Sequence, residues 1–215
     1  MRSLLRPLGG AIRVLLLFTV VCGLVYPLAI WSVSRIGTAS AEGSPLQDSA
    51  GCVVGSDLIG VDPQVAAGDP DPFFHLRLDG DPTADDPVAG AMTPGDPAAA
   101  DANDAGPNNE TLLEFVQIRR EVIAAREGVD PGQVPPDAVT GSGSSVDPAI
   151  SPAYAELQVP RVARESGLSA DAVRHLVAEH TEGRQWGFLG EPRVDVPALN
   201  VALGLTAPGC RTPAG

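Results

Sequence analysis

Hydrophobic and polar positions divide the chain into one long apolar run and a polar remainder with several periodic segments. Val14 to Ser34 is 21 residues without a charge. A helix of that length rises about 31 Å, the hydrocarbon thickness of a bilayer. Tyr26 and Trp31 near its far end suit an interfacial aromatic belt. Gly23 and Pro27 inside the run predict a helix that packs closely on protein and kinks. Thr38 to Ser49 is small and polar, a juxtamembrane linker. Cys52 to Val61 predicts one or two short strands bent around Gly55. Residues 63–107 are poor in apolar side chains, and Asp-Pro and Asp-Gly pairs recur there. They predict a long irregular loop, partly disordered, that only Phe73, Phe74, Leu76 and Leu78 could dock on a core.

Helical periodicity starts after Asn108-Asn109, with Leu112, Phe115, Val116, Val122 and Ile123 in register and Gly128 as the stop. Arg119, Arg120 and Arg126 toward its end suit the helix dipole. Residues 131–151 read as a loop. Ser151-Pro152 opens a second helix, which Pro160 is expected to interrupt before it resumes to Gly167. Ser169 caps a third through His180. Gly187 to Val196 reads as turn, strand and turn, and Leu199 to Leu205 as a short helix. The class is α+β: a single N-terminal transmembrane helix plus one small extracytoplasmic mixed domain. The expected divisions are a cytoplasmic end (1–13), the span (14–34), a linker (35–50), the domain (51–206, with an acidic loop at 62–107) and a tail (207–215).

Charge sets the orientation. Arg2, Arg6 and Arg13 precede the run without an acid, whereas all 27 acidic residues follow it. Basic flanks stay cytoplasmic, so the larger part should lie outside. From Arg35 onward 11 arginines face those 27 acids, a balance of −16 that disfavours nucleic acid and anionic lipid. The chain has no lysine, which excludes a phosphate-cradling Gly-rich loop with its Lys and therefore ATP hydrolysis by that route. Ala39-Ser40-Ala41 resembles a signal cleavage site that would leave Glu42 first. The length of the run and the spacer after it favour a retained anchor.

Candidate chemistry is sparse. His175 and His180 are five apart, about 140° around a helix, which fails the H-E-x-x-H spacing and leaves a polar helix end. Residues 62–104 hold ten Asp, but not at calcium-loop spacing, and read as a solvated loop. Residues 140–145 lack a G-x-S-x-G elbow and read as a flexible or partner-contacting loop. No catalytic, cofactor or metal residues are assigned. Cys52 and Cys210 fall outside the membrane in this topology and could pair; Cys22 lies in the run.

Several motifs resemble the KdpC family, the C subunit of the Kdp potassium-transporting P-type ATPase. They are Gly55-Ser56-x-Leu58-Ile59-Gly60, Gly106-Pro107-Asn108, Pro136-Asp137-x-Val139-Thr140-x-Ser142-Gly143-Ser144, Asp147-Pro148-x-Ile150-Ser151-Pro152, Gln158 to Arg164, His180 to Arg184 and Gly187 to Val196. Tyr26-Pro27-Leu28 in the anchor fits as well. Residues 73–91 depart from the family pattern, which puts any partner contact made there in question. The resemblance implies one membrane helix and an extracytoplasmic domain. It implies assembly with a channel-like potassium subunit and an ATP-hydrolysing subunit, which handle K+ and ATP, so no cofactor is expected on this chain. It further implies a non-catalytic role in assembly and in raising ATP affinity, which the topology would make indirect. Candidate partner contacts are Gly23, Pro27, Ser142, Ser144, Asp147, Gln158, Arg161, Arg164, Arg184 and Glu191. Two other readings remain at this point: a membrane-anchored extracytoplasmic interaction domain unrelated to transport, and a secreted hydrolase cleaved after Ala41, for which no nucleophile–base pair can be named.

Overall fold

The structure, a computed structural model, describes residues 2–66, 68–102 and 104–206. It divides into a unit up to Ser44 and a second from Pro45 onward. In the first, α1 (Arg2–Val20) passes through a π turn (Val21–Val25) into α2 (Tyr26–Ser34), then through a 3-10 turn (Arg35–Gly37) into α3 (Thr38–Ala41). Pro27 accounts for the π turn. Its ring offers no N–H and presses on the carbonyl four residues back, that of Gly23. The wider turn lets the Tyr26 N–H donate to the Val21 carbonyl.

The helix outlasts the uncharged run. Arg35 lies 5.6 Å over the Trp31 ring and pairs with Glu42 at 2.9 Å. The Glu42 N–H then donates to the Thr38 carbonyl at 2.9 Å, and Gly43 (φ +87°) turns the chain out. Residues 38–41, expected as linker, are therefore helical. Leu8–Ala41 is long and apolar enough to cross a membrane.

The second unit begins with an antiparallel ribbon, β1 (Pro45–Gln47) on β2 (Val53–Ser56), with Leu46 opposite Gly55. After the acidic stretch, with α4 (Pro87–Ala91), come α5 (Glu110–Glu127), α6 (Pro136–Val139), β3 (Ala149–Ile150), α7 (Pro152–Ser166), α8 (Ala170–Glu179), β4 (Thr181–Glu182), β5 (Arg193–Asp195) and α9 (Val196–Ala202). β5 lies between β3 and β4, antiparallel to both, and Val194 faces Ile150 and Thr181. The core is formed by Ile123 of α5, Val139 of α6, Tyr154, Val159 and Val162 of α7, Val173 of α8, Val194 of β5 and Leu199 of α9. The fold is α+β, as the sequence predicts.

Local chemistry starts and stops these helices. The side chains of Asn109, Ser151 and Ser169 accept the N–H of Leu112, Tyr154 and Ala172, while Gly128 and Gly167 close α5 and α7 in the left-handed conformation. Pro160 does not interrupt α7, which is continuous from Pro152 to Ser166. Pro160 and Glu156, whose carbonyl it leaves without a donor, are on the exposed face of the helix, where solvent rather than the core meets the break. Residues 131–151, expected as loop alone, contain α6 and β3.

The acidic stretch is also more ordered than its composition predicts. Phe74, Leu76 and Leu78 dock on the core as expected. Asp86 and Asp96 accept the N–H groups of Val88 and Ala98, so two Asp-Pro pairs open short helical turns. Arg119, expected to complement the helix dipole, is wholly buried. Its guanidinium donates to the carbonyls of Ala91 and Asp79, each at 2.8 Å, and of Val139 at 3.3 Å. Burial, only partly offset by Asp79, lowers its pKa to about 10. A Cβ on Gly80 (φ +91°) would stand 2.5 Å from the Phe115 ring and 2.6 Å from this guanidinium, so the clamp needs glycine there.

The polar strap and the candidate contact surface

Residues 71–78 form an extended strap tied down by side chains of α7 and α9. Asn200 accepts the Phe74 N–H at 2.8 Å and donates to the Phe74 carbonyl at 2.9 Å. Gln158 accepts the His75 N–H at 2.8 Å and donates to the His75 carbonyl at 3.1 Å. Two carboxamides thus replace the neighbouring strand that the strap lacks. Arg161 adds a fork. Its Nε donates to Glu127, its Nη1 to the carbonyls of Asp71 (2.6 Å) and Phe73 (3.0 Å), and its Nη2 to Gln158 (3.0 Å).

These contacts turn two of the expected partner residues inward. Gln158 is fully buried and Arg161 is 3% exposed, so both side chains tie the domain internally and offer no surface. Ser142 is buried as well, its Oγ accepting the Ser144 N–H at 3.2 Å.

At the strap, His75 lies between two carboxylates, Nδ1 2.9 Å from Asp62 and Nε2 2.8 Å from Asp71. Burial and Arg126 push its pKa down, but hydrogen bonds to Asp62 and Asp71 outweigh them and the net shift is upward. Burial would raise Asp71, yet His75 and Arg161 hold it below the usual carboxylate value. Arg126 donates to Glu127 at 2.7 Å and to the Tyr154 hydroxyl at 3.1 Å. Burial opposes its charge, but Tyr154 and Glu127 raise its pKa all the same.

The other expected contacts are accessible. Ser144 and Arg164 are exposed, the latter paired with Glu165. Asp147 is half-buried. It accepts the Ala149 N–H at 2.9 Å and pairs with Arg77. Arg184 and Glu191 pair at 2.5 Å across the base of a tight hairpin, where the Gln185 and Leu189 backbones exchange bonds of 2.9 and 3.0 Å. A cavity of about 220 Å³ joins the two regions, lined by Arg77, Asp137, Asp147, Ser151, Glu191 and Arg193. Gly23 is in the π turn and Pro27 in the first turn of α2. Cys52 is buried and disulfide-bonded, Cys22 is a free thiol, and Cys210 lies outside the described residues.

The hairpin tip holds what the sequence reading missed. Trp186 is 84% exposed and Phe188 67%, flanking Gly187 on a turn fixed by Trp186 (φ +51°) and Gly187 (φ +80°). The Gly-Phe-Leu-Gly segment signals a turn, but nothing local to it signals exposure of its aromatics.

Among the described residues, one apolar helix long enough to cross a membrane followed by a small α+β domain fits the class of membrane-anchored subunits. The family model described as "K+-transporting ATPase, c chain" matches residues 8–204. The chain belongs to this family, KdpC, whose members are subunits of the K+-transporting ATPase. Three relatives carry the name "Potassium-transporting ATPase KdpC subunit". The Kineococcus radiotolerans protein is 44% identical over 206 residues, covering 96% of this chain and 97% of its own length. The Geobacter sulfurreducens protein is 40% identical over 205 residues, 95% and 100% of the two lengths. The Streptomyces coelicolor protein is 41% identical over 210 residues, 93% of each.

Proposed function

We propose that this subunit is anchored in the cytoplasmic membrane with its N-terminus inside, and that its α+β domain holds the transport complex together from the outside. The partners are a channel-like potassium subunit and an ATP-hydrolysing subunit, which handle K+ and ATP. The contact face runs from Ser144 and Asp147 across the cavity to the Arg184–Glu191 pair and the hairpin tip. The exposure of Trp186 and Phe188 on a backbone-locked hairpin carries this reading, because rigid exposed aromatics gain contact area at little entropic cost. Any effect on ATP affinity is indirect: the domain favours one conformer of the complex, and the ATP-hydrolysing subunit binds nucleotide better in that conformer.

Co-expression with the two larger subunits tests this. The doubly substituted Trp186→Ser/Phe188→Ser chain should lose most of its co-purification in detergent, whereas Arg164→Ala should co-purify like the parent. Equal recovery of the double variant overturns the contact face. Protease added to intact cells should digest the domain; protection overturns the orientation.

A further inference from the structure

We propose that His75 is a proton-operated latch that sets the order of the 144–149 loop. Both ring nitrogens face carboxylate oxygens at hydrogen-bond distance. A neutral imidazole has one N–H and one lone pair, so it can satisfy only one of them. The other nitrogen would point its lone pair at a carboxylate. With both carboxylates ionised the geometry calls for the imidazolium, and its raised pKa agrees with this.

The surrounding groups make the charge state consequential. Asp62 and Asp71 face the ring. Arg161 from α7 shares Asp71 at 3.1 Å and pairs with Glu127 of α5 at 3.0 Å, Arg126 of α5 also pairs with Glu127, and the neutral Tyr154 hydroxyl of α7 contacts Arg126. With His75 protonated, three cations balance three carboxylates. When the ring loses an N–H proton to water, the cluster is left with one uncompensated negative charge. A cavity of about 230 Å³, lined by Asp62, Asp71, His75 and Arg126 among others, adjoins the ring and offers a path for that proton.

The latch closes a loop whose two ends grip the same place. Two residues before Asp62, the Gly60 N–H donates to the Val146 carbonyl at 2.7 Å. Two residues after His75, Arg77 pairs with Asp147. A Cβ on Gly60 would stand 2.6 Å from the Asp147 carbonyl, so the backbones are in direct contact. Opening the Asp62–His75–Asp71 bridge loosens both grips on Val146–Asp147 together. That this loop is part of the partner contact rests on the function proposed above; the latch itself does not.

The test uses the full chain in detergent, without partners. Imidazole NMR signals of His75, His175 and His180 are followed against pH, with His75→Gln assigning the first. His75 should reach its midpoint above the ordinary imidazole value near 6.5; a midpoint at or below that value overturns the latch. Hydrogen exchange, corrected for intrinsic rates, should show protection of both 60–78 and 144–149 falling about tenfold across the His75 transition. Unchanged protection of 144–149 while His75 titrates also overturns it. Should His75→Gln not fold, Asp62→Asn serves: it should lower the His75 midpoint, and an unmoved midpoint counts against the proposal. All readouts come from the isolated chain, so failed co-purification of the hairpin variant and failure of the latch are separate outcomes.

Discussion

Asn200 holds Phe74 by both of its backbone polar groups, accepting the N–H at 2.8 Å and donating to the carbonyl at 2.9 Å. Replacing Asn200 with Ala leaves both groups buried without partners. The loss should be about 2–6 kcal/mol, since each unsatisfied buried group costs about 1–3 kcal/mol. Urea unfolding followed by far-ultraviolet circular dichroism measures it, and a change confined to a few tenths would show that water replaces the carboxamide.

Arg161 and Arg164 are three residues apart on one helix and should behave oppositely. Arg161→Met leaves Glu127 with Arg126 alone and takes the donor from the Asp71 and Phe73 carbonyls, and should destabilise by about 2–5 kcal/mol. Arg161→Lys should recover little, because one ammonium cannot reach Glu127, Gln158 and two carbonyls at once. Arg164→Ala removes an exposed pair with Glu165 and should leave the unfolding midpoint in place. Thermal melts of the three variants side by side decide the matter.

Asp195 gives a pH dependence of defined sign. Burial, and then the Asp57 carboxyl against it, raise its pKa to about 6. Between the unfolded value near 4 and this folded value, only the native state keeps the proton, so stability falls as pH rises through that window. Asp57→Asn removes the repelling neighbour. It should raise the melting midpoint at pH 7–8 by about 2–4 °C, allowing for solvent screening of this half-buried site, and leave it unchanged near pH 4. An equal shift at both pH values would mean that charge is not the cause.

Unreduced peptide mapping of the full chain should recover Cys52 linked to Cys210. Alkylation of Cys52 in folded, unreduced protein would contradict this. Reduction of the bridge should lower stability by about 2–4 kcal/mol, because the link constrains the unfolded chain.

What was legible in the sequence is what depends on neighbours along the chain. The apolar run, the caps at Asn109, Ser151 and Ser169, and the glycine stops at Gly128 and Gly167 are local chemistry, and each lies where the pattern puts it. The continuity of α7 through Pro160 was not legible, because it depends on which face the fold leaves wet. Asp-Pro pairs at 86–87 and 96–97 have the composition of loop but the chemistry of helix starts. Gln158 and Arg161 belong to a recognisable run, yet that run does not tell inward from outward. Arg119 looks like a dipole partner, and only its three carbonyl acceptors, 20 to 40 residues away, reveal a clamp. The order of the strap comes from carboxamides 83 and 126 residues distant, beyond the reach of any local window.

That last distance fixes an order of events during synthesis. A ribosome delivers the strap long before it delivers Asn200, and Gln158 also comes late. Until then Phe74, Leu76 and Leu78 have neither their carboxamide ties nor the α7 and α9 surfaces to lie on. The nascent chain must therefore carry an unpaired, partly apolar stretch until its closing helix emerges. The Asp residues crowded around that stretch keep it charged and solvated during the wait. In this chain the strap's final ties come from the helices made last.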